Sequence, residues 1–165
     1  MKKYEFTGEV KTYLGKTLHR IKAVVSFGIV VKGEIGGWIE SEKNLSQDGN
    51  AWVYGDARVS GDAEVYGNAW VSGDARVYGN AEVSGDARVY GDAHFMVIGA
   101  IGSRFDFTTF FRNKENGISV KCGCFYGTIA EFRAKVTETH GTDTKFAKVY
   151  QAAADLAEMQ IELEK

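Results

Sequence analysis

Seven residues have the types and spacing to hold a small anionic, aromatic ligand: Trp52, Trp70, Arg88, Tyr90, Ser103, Arg104 and Arg112. Trp52 and Trp70 are eighteen residues apart, and Arg88 follows at the same interval. In a coil of that period the three stack in one column, where a guanidinium over an indole is worth about 0.5–2 kcal/mol. Tyr54, Tyr66, Tyr78 and Tyr90 add flat aromatic area nearby. Outward rings beside guanidinium groups are what bases and phosphates need, and they also suit a contact between subunits. Ser103-Arg104 follows Gly99-Ala-Ile-Gly102. Such a turn can hold an anion through backbone N–H groups and the guanidinium. Arg112 ends the next strand and joins the group only if the strands fold back.

No catalytic or metal-binding set emerges. Cys122 and Cys124 are separated by a single glycine, too close for an ordinary structural bridge. Zinc normally takes four ligands, with cysteines two to four residues apart, and no histidine is near this pair in sequence. The pair reads as structural thiols, although a cysteine before a helix can also become a nucleophile. His19, His94 and His140 are the only histidines, and only His94 is in phase with the repeat described next. Arg58 and Arg76 are expected to pair with Glu64 and Glu82 across a corner or between subunits. Exposed pairs of that kind contribute little.

The element that must position Trp52, Trp70, Arg88 and Tyr90 is a six-residue repeat over 49–96. Its first copies are Gly49-Asn-Ala-Trp-Val-Tyr54 and Gly55-Asp-Ala-Arg-Val-Ser60, and it decays at Gly91-Asp-Ala-His-Phe-Met96. A short fixed period with small and β-branched residues in register predicts a β-helix. The residue between Ala and Val runs Trp52, Arg58, Glu64, Trp70, Arg76, Glu82, Arg88, His94. Its eighteen-residue recurrence predicts three hexads per coil. Ala and Val are two apart, share a side of the strand and are expected to fill a narrow bore. The variable residue and the Tyr/Ser position then face outward. Gly followed by Asp or Asn makes the corners.

These hexads resemble the hexapeptide repeats of left-handed parallel β-helices, found in bacterial acyltransferases and gamma-class carbonic anhydrases. The resemblance covers about a third of the chain and implies left-handed winding and a homotrimer. The chain departs from both enzyme patterns. It lacks three metal-binding histidines on adjacent coils. Its repeat runs from Gly49 to Asp92 without the protruding loop of the acyltransferases.

The flanks read as caps, since both ends of a solenoid expose strand edges. Residues 1–48 are expected to give two or three strands and an irregular first coil with Ile39 and Leu45 inside. Residues 97–165 are expected to form a small α+β unit. Strands are predicted at 94–98, 104–112 and 118–122, with a turn over Asn113–Gly117. Thr128 and Glu131 form a capping box for a helix carrying Ile129, Ala130, Phe132 and Val136 and ending at Gly141. Thr142 or Asp143 begins a last helix with Phe146, Val149, Tyr150, Ala153, Leu156, Ala157 and Ile161 on one face. The predicted architecture is mainly β, with a β-helix and a C-terminal meander plus two helices.

The chain has 165 residues and a net charge of −2, which gives no hint of nucleic-acid binding. It has no eighteen-residue apolar run for a membrane span, and its start lacks the apolar stretch of a secretory signal. A cytoplasmic protein without cofactors is expected.

Beyond the repeat, the chain resembles a group of small proteins carried by phages and prophages of Gram-positive bacteria. The segments that carry this are Gly36-Gly-Trp-Ile-Glu-Ser41, the Gly-Asp-Ala repeat, Ile101-Gly-Ser-Arg104, Thr108-Thr-Phe-Phe111, Cys122-Gly-Cys-Phe125 and Thr139-His-Gly141. The resemblance implies a bacterial host cytosol as the setting. The reading that follows is a non-enzymatic, homo-oligomeric phage protein acting against host defence. It would sequester a small nucleotide-derived signal at pockets between subunits. The alternatives are an inhibitor that binds a host defence protein, a structural phage component and, last, an acyltransferase.

Overall fold

The computed structural model describes Met1–Lys165. The chain forms two compact units, Met1–Asp92 and Ala93–Lys165.

The first unit begins with strands β1 (Tyr4–Tyr13) and β2 (Lys16–Ala23), an antiparallel hairpin in which Tyr13 pairs with Lys16. Its two-residue turn needs positive φ at both positions, the geometry that matches the right-handed twist of paired strands. Leu14 sits at φ 48° and Gly15 at 77°. β3 (Ile35–Ile39) pairs with β2 and then leads into the solenoid.

The seven hexads give seven two-residue strands: β4 (Trp52–Val53), β5 (Arg58–Val59), β6 (Glu64–Val65), β7 (Trp70–Val71), β8 (Arg76–Val77), β9 (Glu82–Val83) and β10 (Arg88–Val89). Pairing is parallel and joins each strand to the one eighteen residues on. Trp52 lies beside Trp70 and Trp70 beside Arg88, Arg58 beside Arg76, and Glu64 beside Glu82. The ladder is backbone to backbone, as in Trp52 N–H to Ala69 C=O at 3.0 Å and Arg58 N–H to Ala75 C=O at 2.9 Å. Every repeat Ala from Ala51 to Ala87 and every repeat Val from Val53 to Val89 is fully buried. The corner glycines take positive φ, which glycine adopts at no steric cost, and at some corners the chain above also leaves no room for a side chain. A Cβ on Gly73 would lie 2.5 Å from the Tyr90 carbonyl oxygen.

The first coil is irregular and two residues longer than the others. Ile39 pairs with Val59, and Leu45 bridges to Val65. Both are interior, but they stack on the valine column, not on the alanine column that the hexad phase points to. The extra length places Gln47 beneath the first strand, where its Oε1 accepts from the Lys3 N–H at 2.7 Å and the Tyr4 N–H at 3.3 Å. The eighth hexad leaves the ladder: Asp92–His94 form a 3-10 turn.

The second unit is a four-stranded antiparallel sheet in chain order: β11 (Phe95–Ile101), β12 (Asp106–Arg112), β13 (Ile118–Cys122) and β14 (Phe125–Thr128). α1 (Ile129–His140) and α2 (Lys145–Gln160) follow. The capping box on Thr128 forms, with the Glu131 N–H donating to Thr128 Oγ1 at 3.2 Å and the Thr128 N–H to Glu131 Oε2 at 2.7 Å. The cap of α2 is Thr144, not Thr142 or Asp143. Its buried stripe is Ala147, Tyr150, Ala153, Ala154, Ala157 and Ile161, and Leu156 faces out. Ala130 on α1 is exposed, while Phe132 and Val136 are buried. No helix is long and apolar enough to cross a membrane.

A buried lysine near the N-terminus gives the first unit a pH signature. Lys3 is almost fully covered and donates to the Ala51 carbonyl at 2.9 Å. Burial pushes its ammonium down to about 8, opposed by Asp48. The folded chain then binds fewer protons than the unfolded chain between pH 8 and the usual lysine range, so stability rises with pH through that window. Urea unfolding at pH 7.5 and pH 9.5 is expected to show the rise, and Lys3→Met is expected to flatten it. An unchanged rise in the variant would assign the effect to other groups.

Candidate functional site

Of the seven residues singled out by type and spacing, Trp70 and Arg88 come together, and the others are spread over the two units. Trp52 is a correction, because it is wholly buried and does not face outward. Tyr4 and Phe27 pack edge-on against its indole, with ring centroids at 6.2 and 5.4 Å. Gly36 approaches so closely that a Cβ there would lie 2.7 Å from the ring. Trp70, one coil on, is half-buried. Arg88 lies over it at 4.2 Å, as the column predicts. Arg88 also donates to the Asn68 and Ala87 carbonyls at 3.1 and 2.8 Å. Tyr54 meets Trp70 edge-on at 5.7 Å, and Tyr90 is partly exposed.

Ser103 and Arg104 are exposed on the turn between β11 and β12. Arg112 stands at the far end of β12, 3% exposed, with its Nη1 3.0 Å from Glu164 Oε1. The strand therefore separates Arg112 from the Ser103-Arg104 turn, and Arg112 is a buried ion-pair residue. Ser103 hydrogen-bonds the Tyr150 hydroxyl, which in turn contacts Cys122. Thr108 Oγ1 donates to Cys122 Sγ at 3.2 Å. Both cysteines are free thiols. No three His, Cys, Asp or Glu side chains are grouped to hold a metal ion.

The concave basic site lies on the arginine face of the first unit. Trp38, Arg58 and Arg76 stand in one ladder, paired strand to strand. The hairpin reaches over them. Lys11 Nζ sits 4.0 Å above the Trp38 ring and the Arg20 guanidinium 5.0 Å from it. The Arg58 guanidinium is 4.4 Å from the centre of the Tyr13 ring, and Arg76 Nη1 donates to the Tyr13 hydroxyl at 3.1 Å. Under the hairpin tip is a cavity of about 260 Å³, lined by Tyr13, Leu14, Lys16, Leu18, Arg58, Ser60, Arg76 and Tyr78.

Charge on this face is unbalanced. Within the chain, Arg58 and Arg76 do not pair with Glu64 and Glu82 across a corner. Arg76 is held by Asp92, with its Nε 2.7 Å from the carboxylate. Lys16 is held by Glu40 at 2.8 Å, and Arg20 is 3.8 Å from Asp56. Lys16, then the Gly61 N–H, keep Glu40 below the usual carboxylate range. Arg58 and Lys11 have no carboxylate within ion-pair distance. Burial pushes the Lys11 ammonium down, Arg58 pushes the same way, Asp56 opposes and Arg20 adds to the lowering. Arg20 Nε, Trp38 Nε1 and Arg58 Nε are buried without an acceptor from the protein. Of these only Arg58 lines the cavity, and a donor without an acceptor on a cation without an anion matches a ligand that carries acceptors and negative charge. The sequence shows only one sign of this cavity. The alternation Lys11-Thr-Tyr13, broken at Leu14-Gly15, marks a hairpin, but nothing local says which face it covers.

The family described as the YdcK beta solenoid repeat matches residues 57–73 and 75–91. The chain is also 41% identical over 51 residues to a protein of Escherichia coli K12 described as an uncharacterized acetyltransferase, YdcK. That match takes in 31% of this chain but only 15% of the YdcK protein. The likeness is to a β-solenoid repeat of parallel strands, and it reaches neither the hairpin tip nor the second unit through the family match.

Proposed function

We propose that this chain is a non-enzymatic, homo-oligomeric binding protein that sequesters a small nucleotide-derived anion. The observation that carries the reading is the cavity under the hairpin tip, whose lining holds Lys16, Arg58 and Arg76 and no carboxylate. Arginine forks bind phosphate oxygens bidentately, and the exposed ring of Tyr78 suits stacking on a base. The site lies within one protomer, so the reading shifts from pockets between subunits to this groove. The phage resemblance supports a bacterial cytosol as the setting, where the protein would counter a nucleotide signal of host defence. The hexapeptide resemblance supports left-handed winding and a homotrimer. The eighteen-residue pairing supports three hexads per coil.

Native mass spectrometry tests the reading. The protein is titrated with a mixed panel of cyclic nucleotides, nucleoside monophosphates, ADP-ribose and coenzyme A. The expected result is a trimer that gains three equivalents of a nucleotide and loses them in Arg58→Ala. An oligomer that binds none of the panel sinks the reading and moves attention to a protein partner.

A second reading is supported by the likeness to YdcK, described as an acetyltransferase. Under it the same basic groove would take the phosphates of an acyl-carrying coenzyme. Acetyl-coenzyme A as the panel's strongest binder, turned over in the presence of an amine acceptor, would favour it.

A further inference from the structure

We infer that the groove selects a ligand of one nucleotide's size that ends in a free phosphate, rather than a cyclic dinucleotide with only internal diesters. The inference rests on the nucleotide-binding reading and narrows it.

Size is the first argument. The cavity measures about 260 Å³, at or just below the bottom of the range of about 300–1,000 Å³ usual for pockets that enclose drug-sized ligands. One ring and one phosphate fit that space with part of the ligand open to solvent. Two linked nucleotides do not.

Charge is the second. Five cations crowd the face: Lys11, Lys16, Arg20, Arg58 and Arg76. Three carboxylates, Glu40, Asp56 and Asp92, each sit beside one of them. Two positive charges, on Lys11 and Arg58, are left without a carboxylate. A terminal phosphate has its second pKa at about 6 and carries close to two negative charges at neutral pH. An internal diester carries one. The terminal group neutralises the face, and the diester leaves it positive.

Geometry is the third. Arg58 and Arg76 come from neighbouring strands in register, so their backbones are about 4.8 Å apart. Their side chains both line the cavity. Arg76 is anchored on Asp92 and Tyr13, which holds it in place at little cost in side-chain freedom. Arg58 keeps its Nε unsatisfied and stacks on the Tyr13 ring. A phosphate seated between them takes oxygens to both arginines, with the Ser60 hydroxyl on the same wall. The ring of the ligand then faces Tyr78, which is 56% exposed.

The test is calorimetric titration of the intact protein at low ionic strength, where screening is weak. The probes are inorganic phosphate, adenosine 5′-monophosphate, 3′,5′-cyclic adenosine monophosphate and cyclic di-adenosine monophosphate. Adenosine 5′-monophosphate is expected to bind at least about tenfold more tightly than its cyclic form, a difference of about 1.4 kcal/mol, and more tightly than the cyclic dinucleotide. Its affinity is expected to fall as the pH drops below 6, where the phosphate gains a proton. Arg58→Ala is expected to remove most of that affinity. Arg58→Lys, which keeps the charge and the packing stem, is expected to lose the preference for the terminal phosphate. Tight binding of the cyclic dinucleotide with none of the monophosphate overturns this inference and leaves the nucleotide-binding reading standing. Monophosphate binding unaffected by both Arg58 variants overturns the assignment to this groove. No heat with any probe overturns both.

Discussion

Replacing Trp52 with alanine is expected to lower the free energy of unfolding by about 3–5 kcal/mol, the cost of removing a fully buried indole. Trp52 is enclosed by Tyr4, Phe27 and the close approach of Gly36. Trp70→Ala, at a half-buried position on the next coil, is expected to cost clearly less. Urea unfolding followed by far-ultraviolet circular dichroism measures both. Equal losses in the two variants would mean that Trp52 is not the covered residue. Because Trp52 is absent from the groove, its loss is expected to act on binding only through the stability of the first unit.

The second large effect is at Gly102. The residue has φ 73°, and a Cβ there would lie 1.9 Å from the Tyr150 hydroxyl oxygen. Gly102→Ala therefore faces left-handed strain of about 1–2 kcal/mol and a direct collision. Together they are expected to reach about 4 kcal/mol, the range reserved for severe core damage. Tyr150→Ala alone is expected to cost about 3–5 kcal/mol, since the ring is buried between Phe132 and His140. In the double variant the collision is gone, so the losses are expected to sum to well under their total. Simple additivity would show that the glycine and the tyrosine do not touch.

How far the sequence could be read depends on whether a residue's fate was local. The interior of the solenoid was legible because Ala and Val recur with the strand itself, and every one of them is buried. The Trp70–Arg88 contact was legible for the same reason. Trp52 was not. Its hexad begins Gly49-Asn-Ala-Trp-Val, and that of Trp70 begins Gly67-Asn-Ala-Trp-Val. Identical local sequence has two outcomes, because only the first coil lies under Tyr4 and Phe27.

The same long-range packing hid the groove. Lys11, Tyr13 and Lys16 are more than forty residues before Arg58, and no period links them. Within the second unit, the capping box fixed the start of α1. The fourth strand, Phe125–Thr128, was missed because Gly127 weakens its strand signal. Size misled the reading of α2. The buried stripe is built on alanines, which allow close packing, and it leaves the larger Leu156 and Met159 outside.

On the proposed function, ligand binds under the hairpin tip on the arginine face. Hydrogen–deuterium exchange, with and without saturating adenosine 5′-monophosphate, tests it most directly because it reports where binding occurs. Slowed exchange is expected in residues 10–18 and around Arg58 and Arg76, with little change elsewhere. Protection confined to the Ser103-Arg104 turn, or to the Trp70–Arg88 column, would contradict it.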